Sequence, residues 1–149
     1  MKFFAAIAAL VVAAVANAQS PAFTNCATGA TDMTVSAFSV SPYPLCIGQN
    51  VCASVTGTLS TPVITGAKLA ITGRYGGRVV YTDNQDLCTV LAASGHPCPV
   101  ATSVTSITAC VLVKTTAPAN VPVALVIQAT NGNGNVLFCQ TATVTAKVC

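Results

Sequence analysis

Short runs rich in Val, Thr and Ile alternate with turn-forming residues along most of the chain. The runs predict seven strands, at residues 33–40, 51–59, 68–73, 78–82, 104–114, 121–130 and 136–148. Residues that favour tight turns separate them, in SPYP at 41–44, STP at 60–62, GRYGG at 73–77, APAN at 117–120 and NGNGN at 131–135. Because helical periodicity is nowhere sustained, the pattern predicts an all-β chain.

The last two runs alternate between apolar and polar positions with a period of two. Odd-numbered residues are all apolar in the run 121–130, whereas odd-numbered residues between 141 and 147 are Thr or Lys. This alternation predicts strands with one buried face and with hydroxyls in place of charges on the other. The NGNGN segment tolerates the positive φ angles of a tight hairpin and is predicted to join these two strands. Short strands separated by frequent turns predict an antiparallel β-sandwich.

Residues 1–18 have the pattern of a secretion signal. Lys2 precedes an apolar run at 3–16, and Ala16-Asn17-Ala18 provides the small-x-small pattern that signal peptidase cleaves. We therefore predict a signal peptide at 1–18 and a single domain at 19–149, because the rest of the chain has no composition break, linker or internal repeat. Beyond the leader, no apolar run approaches the roughly 18 residues that span a bilayer.

Charged residues are scarce. The chain has only six Lys or Arg and three Asp or Glu residues, and they form no cluster. Nucleic-acid binding proteins carry a basic patch, so no nucleic-acid partner is expected.

Eight cysteines lie in the predicted mature chain: Cys26, Cys46, Cys52, Cys88, Cys98, Cys110, Cys139 and Cys149. An even number of cysteines behind a secretion signal indicates four disulfides in an oxidising compartment. Zinc sites favour cysteines two to four residues apart, and the closest spacings here are wider. A single histidine adds little, so neither a metal site nor a cofactor is expected.

Few side chains could perform acid–base catalysis. The candidates are Asp32, Asp83, Asp86 and His96. We expect Asp83 and Asp86 to flank a solvated turn and His96 to lie in a loop, and no serine has the glycine pattern of a nucleophile elbow. The sequence therefore predicts that the protein is not an enzyme.

An ordered set of landmarks resembles the ML (lipid-recognition) domain family. A cysteine near the mature start is followed by SPYPLC, IGQNVCASVTG, ITGRYGGRVV, DLC at 86–88, CPV at 98–100 and the closing segment VPVALVIQATNGNGNVLFCQTATV. The family includes the Niemann-Pick type C cholesterol carrier, the group 2 mite allergens and the fungal phosphatidylglycerol/phosphatidylinositol transfer proteins. The resemblance covers residues 26–148.

The resemblance implies two disulfides, Cys88–Cys98 and Cys26–Cys139. The family's partner for Cys46 falls where this chain has SPYP, so Cys52 is the nearest substitute, which would leave Cys110 with Cys149. Exchange among these four cysteines fits the sequence equally well.

The resemblance also implies a fold and a site. The fold is an immunoglobulin-like sandwich whose two sheets splay to admit a lipid tail or sterol. The cavity candidates are the apolar-face residues Phe38, Val55, Leu69, Ile71, Val79, Tyr81, Ile107, Val111, Val123, Leu125 and Ile127. Arg74, Tyr75 and Arg78 are candidates for the rim, where guanidinium groups suit a headgroup phosphate. The alternative for the cavity candidates is that they form a filled core. The alternative for the rim candidates is a solvated Gly-rich hairpin.

Two functional hypotheses follow. The first is a monomeric carrier, secreted or in the lumen of the secretory or vacuolar-lysosomal system, that binds a sterol or phospholipid and contacts membranes transiently. The second is a structural or surface-active cell-wall protein that displays its Thr-rich faces. Lipid that copurifies with the protein would distinguish the two.

Overall fold

The computed structural model describes residues 19–149, and the predicted signal peptide lies outside these residues. The described chain forms ten strands and one short helix. In order they are β1 (Thr24–Asn25), β2 (Met33–Ser41), β3 (Leu45–Cys46), β4 (Asn50–Leu59), β5 (Lys68–Tyr75), β6 (Arg78–Asp86), α1 (Leu87–Ala93), β7 (Ser106–Leu112), β8 (Val123–Thr130), β9 (Val136–Val144) and β10 (Ala146–Lys147). The seven longer strands correspond to the seven predicted runs, and the three others have two residues each.

The long strands form two antiparallel sheets. One sheet has five strands in the order β1-β9-β8-β5-β6, and the other has three in the order β2-β4-β7. Their inner faces supply one shared hydrophobic core, to which β5 and β8 contribute alternate residues such as Leu69, Ile71, Leu125 and Ile127. The predicted all-β, immunoglobulin-like sandwich is confirmed, and NGNGN joins β8 to β9.

One side of the sandwich is closed by a small third sheet. β3 follows β2, β10 follows β9, and the two short strands pair in parallel with Ala146 opposite Leu45. At the other end of the same side, the Asp32 amide donates to the Val136 carbonyl at 2.8 Å. Both ends of this side are therefore held by backbone hydrogen bonds.

Four disulfides are present. Cys26–Cys139 and Cys88–Cys98 occur as the family resemblance implies. The other two are Cys52–Cys110 and Cys46–Cys149, in place of the Cys46–Cys52 and Cys110–Cys149 pairs given first above.

The ladder geometry explains this correction. Cys52 lies directly opposite Cys110 in the β4–β7 ladder, so the two side chains meet across neighbouring strands. Cys46 lies opposite Lys147 in the β3–β10 pair, which brings the chain end at Cys149 beside it. Both pairings depend on contacts between distant segments, which cysteine spacing alone does not reveal.

The loop predicted around Asp83 and Asp86 is wrong. β6 continues to Asp86 because its whole length pairs with β5, with Asp86 opposite Lys68. Asp83 is buried within this strand. Asp86 ends the strand and caps helix α1, its carboxylate accepting from the Thr89 amide at 2.9 Å. At seven residues, α1 is too short to produce a sustained helical period.

Within residues 19–149, no helix has the length and apolar character needed to cross a bilayer.

A buried carboxylate anchors the β8–β9 hairpin. Asp32, which is 7% exposed, accepts hydrogen bonds from the side-chain amides of Asn131, Asn133 and Asn135 at 3.0, 3.1 and 3.2 Å. Burial alone would raise the pKa of Asp32, but these hydrogen bonds to the ionised form outweigh burial and hold its pKa below the usual value. The NGNGN segment therefore forms the turn and also supplies the hydrogen-bond donors that stabilise the buried Asp32 carboxylate.

The Asp32→Asn substitution is expected to destabilise the fold at neutral pH by about 2 kcal/mol, because an amide cannot accept three hydrogen bonds as a carboxylate does. The lowered pKa makes the Asp32 contribution fully present above the unfolded-state value near 3.8 and lost as pH falls through the folded-state value. The stability gap between wild type and variant should therefore be flat near neutrality and shrink below that value. Denaturant unfolding across a pH series measures it.

The control is Asp86→Asn, which changes the net charge equally but replaces one good helix cap by another. A stability difference between wild type and Asp32→Asn that stays constant into strong acid would contradict the assignment of Asp32 as an ionised hydrogen-bond acceptor.

Candidate functional site

A cavity of about 150 Å³ lies between the two sheets. Its walls come from both sheets and from helix α1, which closes one end with Leu87, Val90 and Leu91. The lining is almost entirely aliphatic or aromatic. Such a cavity can hold an apolar ligand through burial of surface, without directional bonds.

Small residues leave this space unfilled. Ala53 of β4 and Ala109 of β7 lie directly opposite each other in the three-stranded sheet, and both line the cavity. The facing wall, on β5 and β8, carries larger side chains such as Leu125. Sandwich sheets pack about 10 Å apart and need interdigitating side chains to fill the gap. A pair of methyl groups in the middle of one wall cannot fill it.

Three aromatic rings form part of the wall. Phe23 packs on Phe38 with ring centroids 4.7 Å apart, and Phe38 lies 6.0 Å from Phe138. These distances suit tilted aromatic pairs. The segment before β1, β2 and β9 thereby meet on the side of the sandwich that the third sheet closes.

Most of the cavity residues expected from the sequence line this space. The ten that do so are Phe38, Val55, Leu69, Ile71, Tyr81, Ile107, Val111, Val123, Leu125 and Ile127.

Val79 does not line the cavity and is 51% exposed. The β5–β6 ladder pairs Gly73 with Tyr81 and Arg74 with Val79, so Val80 is an extra residue at a β-bulge. A bulge reverses the alternation of the residues beyond it. Val80 consequently packs against the core in place of Val79.

The expected rim residues lie away from the cavity wall. Arg74, Tyr75 and Arg78 occupy the tip of the β5–β6 hairpin, and none of them lines the cavity.

Sequence reasoning missed several lining residues. Leu87, Val90 and Leu91 belong to the helix that was not predicted, and Phe23 precedes the first strand. The spacing of the three helical residues is the only local signal, and it spans barely more than one turn.

Sequence reasoning placed Tyr81 at the cavity but missed the rest of a polar stripe on the inner face of β6. Tyr81, Asp83 and Gln85 lie opposite Gly73, Ile71 and Leu69, whose positions face the core, and so they share the inner face. Gln85 Nε2 donates to Asp83 Oδ2 at 2.7 Å. The strand therefore presents polar groups at one edge of an otherwise apolar interior.

Lys114, in the segment that follows β7, binds residues of this stripe. Its Nζ lies 2.8 Å from Asp83 Oδ1 and donates to the Thr82 carbonyl at 3.0 Å. Its backbone amide donates to the Tyr81 hydroxyl at 3.4 Å. The bond to Asp83 raises the pKa of Lys114, and burial raises the pKa of Tyr81, so near neutrality the ammonium is charged and the phenol protonated.

The candidate acid–base residues are scattered. Asp32 is bonded to the Asn hairpin, Asp83 to Lys114, and Asp86 to the start of α1, while His96 lies in the loop after that helix. Among residues 19–149, no three His, Cys, Asp or Glu side chains come close enough to hold a metal ion. The arrangement of the described residues suits apolar binding, and the acid–base candidates among them lie apart from one another.

A disulfide-linked β-sandwich around an apolar cavity is an arrangement that can enclose a hydrophobic ligand. A family model for the ML domain matches residues 20–146, and the chain belongs to the ML domain family.

Solved structures share this fold. A Niemann-Pick type C2 protein from the Japanese carpenter ant superimposes with a TM-score of 0.63 at 17% identity, over 85% of this chain and 99% of that one. Chicken MD-1, solved in complex with lipid IVa, gives a TM-score of 0.51 at 11% identity, over 83% of this chain and 86% of that one. No curated protein matches the sequence significantly.

Filling the alanine gap should close the cavity. Ala109→Leu is expected to abolish binding of a neutral apolar fluorophore such as N-phenylnaphthylamine, because the larger side chain occupies the space. The same change should stabilise the fold by about 1 kcal/mol through added burial. Fluorescence titration and denaturant unfolding measure the two effects.

Thr108→Leu is the matched control, since Thr108 neighbours Ala109 but points to the outer face of β7. Equal fluorophore binding by Ala109→Leu and wild type would contradict the location of the site.

Proposed function

We propose that this protein is a secreted, non-enzymatic lipid carrier that holds the apolar part of a sterol or phospholipid between its two sheets. The observation that carries the proposal is the aliphatic cavity between β4–β7 and β5–β8. Burial of apolar surface contributes about 25 cal/mol per Å², so a hydrocarbon tail gains affinity there without polar partners.

Family membership and fold support the same conclusion. The chain belongs to the ML domain family, and the MD-1 structure with the same fold was solved with lipid IVa. The cavity lies within the residues that the family model matches.

The size of the cavity constrains the binding mode. Pockets for small molecules usually measure about 300–1,000 Å³, several times the volume found here. A lipid must therefore separate the sheets as it enters, or insert only part of one chain.

The disulfides permit such a separation. Cys26–Cys139 lies beside the β1–β9 pair of the five-stranded sheet, and Cys52–Cys110 lies within the three-stranded sheet. Cys88–Cys98 ties α1 to the loop after it. Cys46–Cys149 connects the sheets only through β3 and the chain end on the closed side. Each wall is braced, and no bridge crosses the cavity.

Four disulfides also support an extracellular or lumenal location, because such bonds persist in oxidising compartments. The scarcity of charge favours transient rather than electrostatic membrane contact.

Protein secreted with its disulfides intact is expected to lose a discrete lipid mass between native and denaturing mass spectra, and organic extraction should recover that lipid. Protein carrying Ala109→Leu should retain less of it, and Thr108→Leu should match wild type. If no lipid copurifies and neither sterol nor phospholipid probes bind above a control protein, the carrier function is wrong. The alternative of a structural wall protein then remains.

A further inference from the structure

The two sheets have free edges on the side of the sandwich away from β3 and β10. β6 is an edge strand of the five-stranded sheet, and β7 is an edge strand of the three-stranded sheet. In the described chain, residues 78–86 and 106–112 exchange no hydrogen bonds. We call this side the β6–β7 seam.

Lys114, two residues beyond β7, supplies the polar bonds that cross the seam. They run to the Tyr81 hydroxyl, the Thr82 carbonyl and the Asp83 carboxylate. The opposite side has the β3–β10 ladder, the Cys46–Cys149 disulfide and the Asp32–Val136 hydrogen bond. The remaining link at the seam is packing, including contacts of helix α1 with β7, so the sheets can part most easily there, with the closed side as a hinge.

Tyr81 stands between the cavity and the outside at this seam. It lines the inner apolar cavity, and it also lines an open outer groove with Val79, Val80, Thr82, Lys114 and Thr116. An amphiphile that inserts its tail past Tyr81 would leave its polar end in this groove.

From this geometry we infer that the ligand's polar end lies at the β6–β7 seam, accepts a hydrogen bond from Lys114, and is uncharged. The inference rests on the proposed lipid-binding function and names the class of lipid: an amphiphile with a hydroxyl or ester end rather than a carboxylate or phosphate.

The charges at the seam favour an uncharged polar end of the ligand. The Lys114 ammonium has three N–H donors, of which two are used by Asp83 and Thr82, and the side chain is 45% exposed. One donor is therefore free for a ligand oxygen. The Asp83 side chain is only 4% exposed and already neutralises the ammonium. An anion at the free donor would lie close to this second, poorly solvated anion, and like charges there oppose binding.

Few other residues that line the cavity could bind the polar end of the ligand. The other hydroxyl residues that line the cavity are Ser106, the first residue of β7, and Thr105 just before it. Both are exposed and far along the strand from Lys114. The Ser106→Ala variant therefore separates this location from the seam.

The test compares decanol with decanoate, which share one alkyl chain, at mildly alkaline pH where the acid is ionised. Wild type should bind decanol more tightly. Asp83→Asn frees the Lys114 charge and should shift the affinity ratio toward decanoate by about tenfold. Asp86→Asn, which makes the same charge change elsewhere on β6, should leave the ratio unchanged.

Lys114→Gln provides a second readout, since Gln can still donate to Asp83. It should weaken decanol binding by about fivefold without any gain for decanoate. Unfolding transitions of every variant establish that the domain is folded.

The outcomes separate the two claims. If wild type binds neither amphiphile, the proposed lipid-binding function fails and the inference fails with it. If wild type binds both but Asp83→Asn leaves the ratio unaltered, or Ser106→Ala alone weakens decanol, only the seam assignment is overturned.

Discussion

The space between the two sheets is incompletely filled, and the packing and covalent bonds around it must accommodate that gap. A β-sandwich is stable because side chains from both inner faces interdigitate and exclude water. Here the three-stranded sheet places two alanines opposite each other at the middle of its inner face, where larger side chains would reach the other wall. An unfilled volume costs about 24 cal/mol per Å³, so the protein carries a penalty that covalent bonds within each wall help it to tolerate.

In the proposed carrier, the positions of the disulfides and hydrogen bonds determine where the two sheets can part. Disulfides stabilise each wall and the end of the closed side, while on the other side the polar side-chain bonds come from Lys114 and helix α1 contacts β7. The Asp32 network fixes the β8–β9 hairpin to the start of β2 on the closed side. In the proposed carrier, rigid walls that are joined more weakly on one side would let a ligand enter without local unfolding of either sheet.

Much of the fold follows from sequence because it depends on local alternation. The seven long strands were predictable from a period of two and from turn residues, and the same alternation together with the family resemblance located ten of the cavity residues. Val79 was assigned to the wrong face because a bulge at Val80 depends on the partner strand and leaves no local signal. Cys46 and Cys52 were paired wrongly for the same reason, since their partners come from distant segments. The stripe of Tyr81, Asp83 and Gln85 has the period of two that a strand requires. Because the predicted strand ends at Thr82, Asp83 and Gln85 fall outside it.

Methyl NMR can show whether a hydrocarbon chain occupies the space between the sheets. In protein with labelled methyl groups, a bound decyl chain should give intermolecular NOEs to Ala53, Ala109 and Leu125, and none to the outward-facing Ala124. NOEs confined to outer-face methyl groups, or none from a ligand that demonstrably binds, would contradict occupancy of that space.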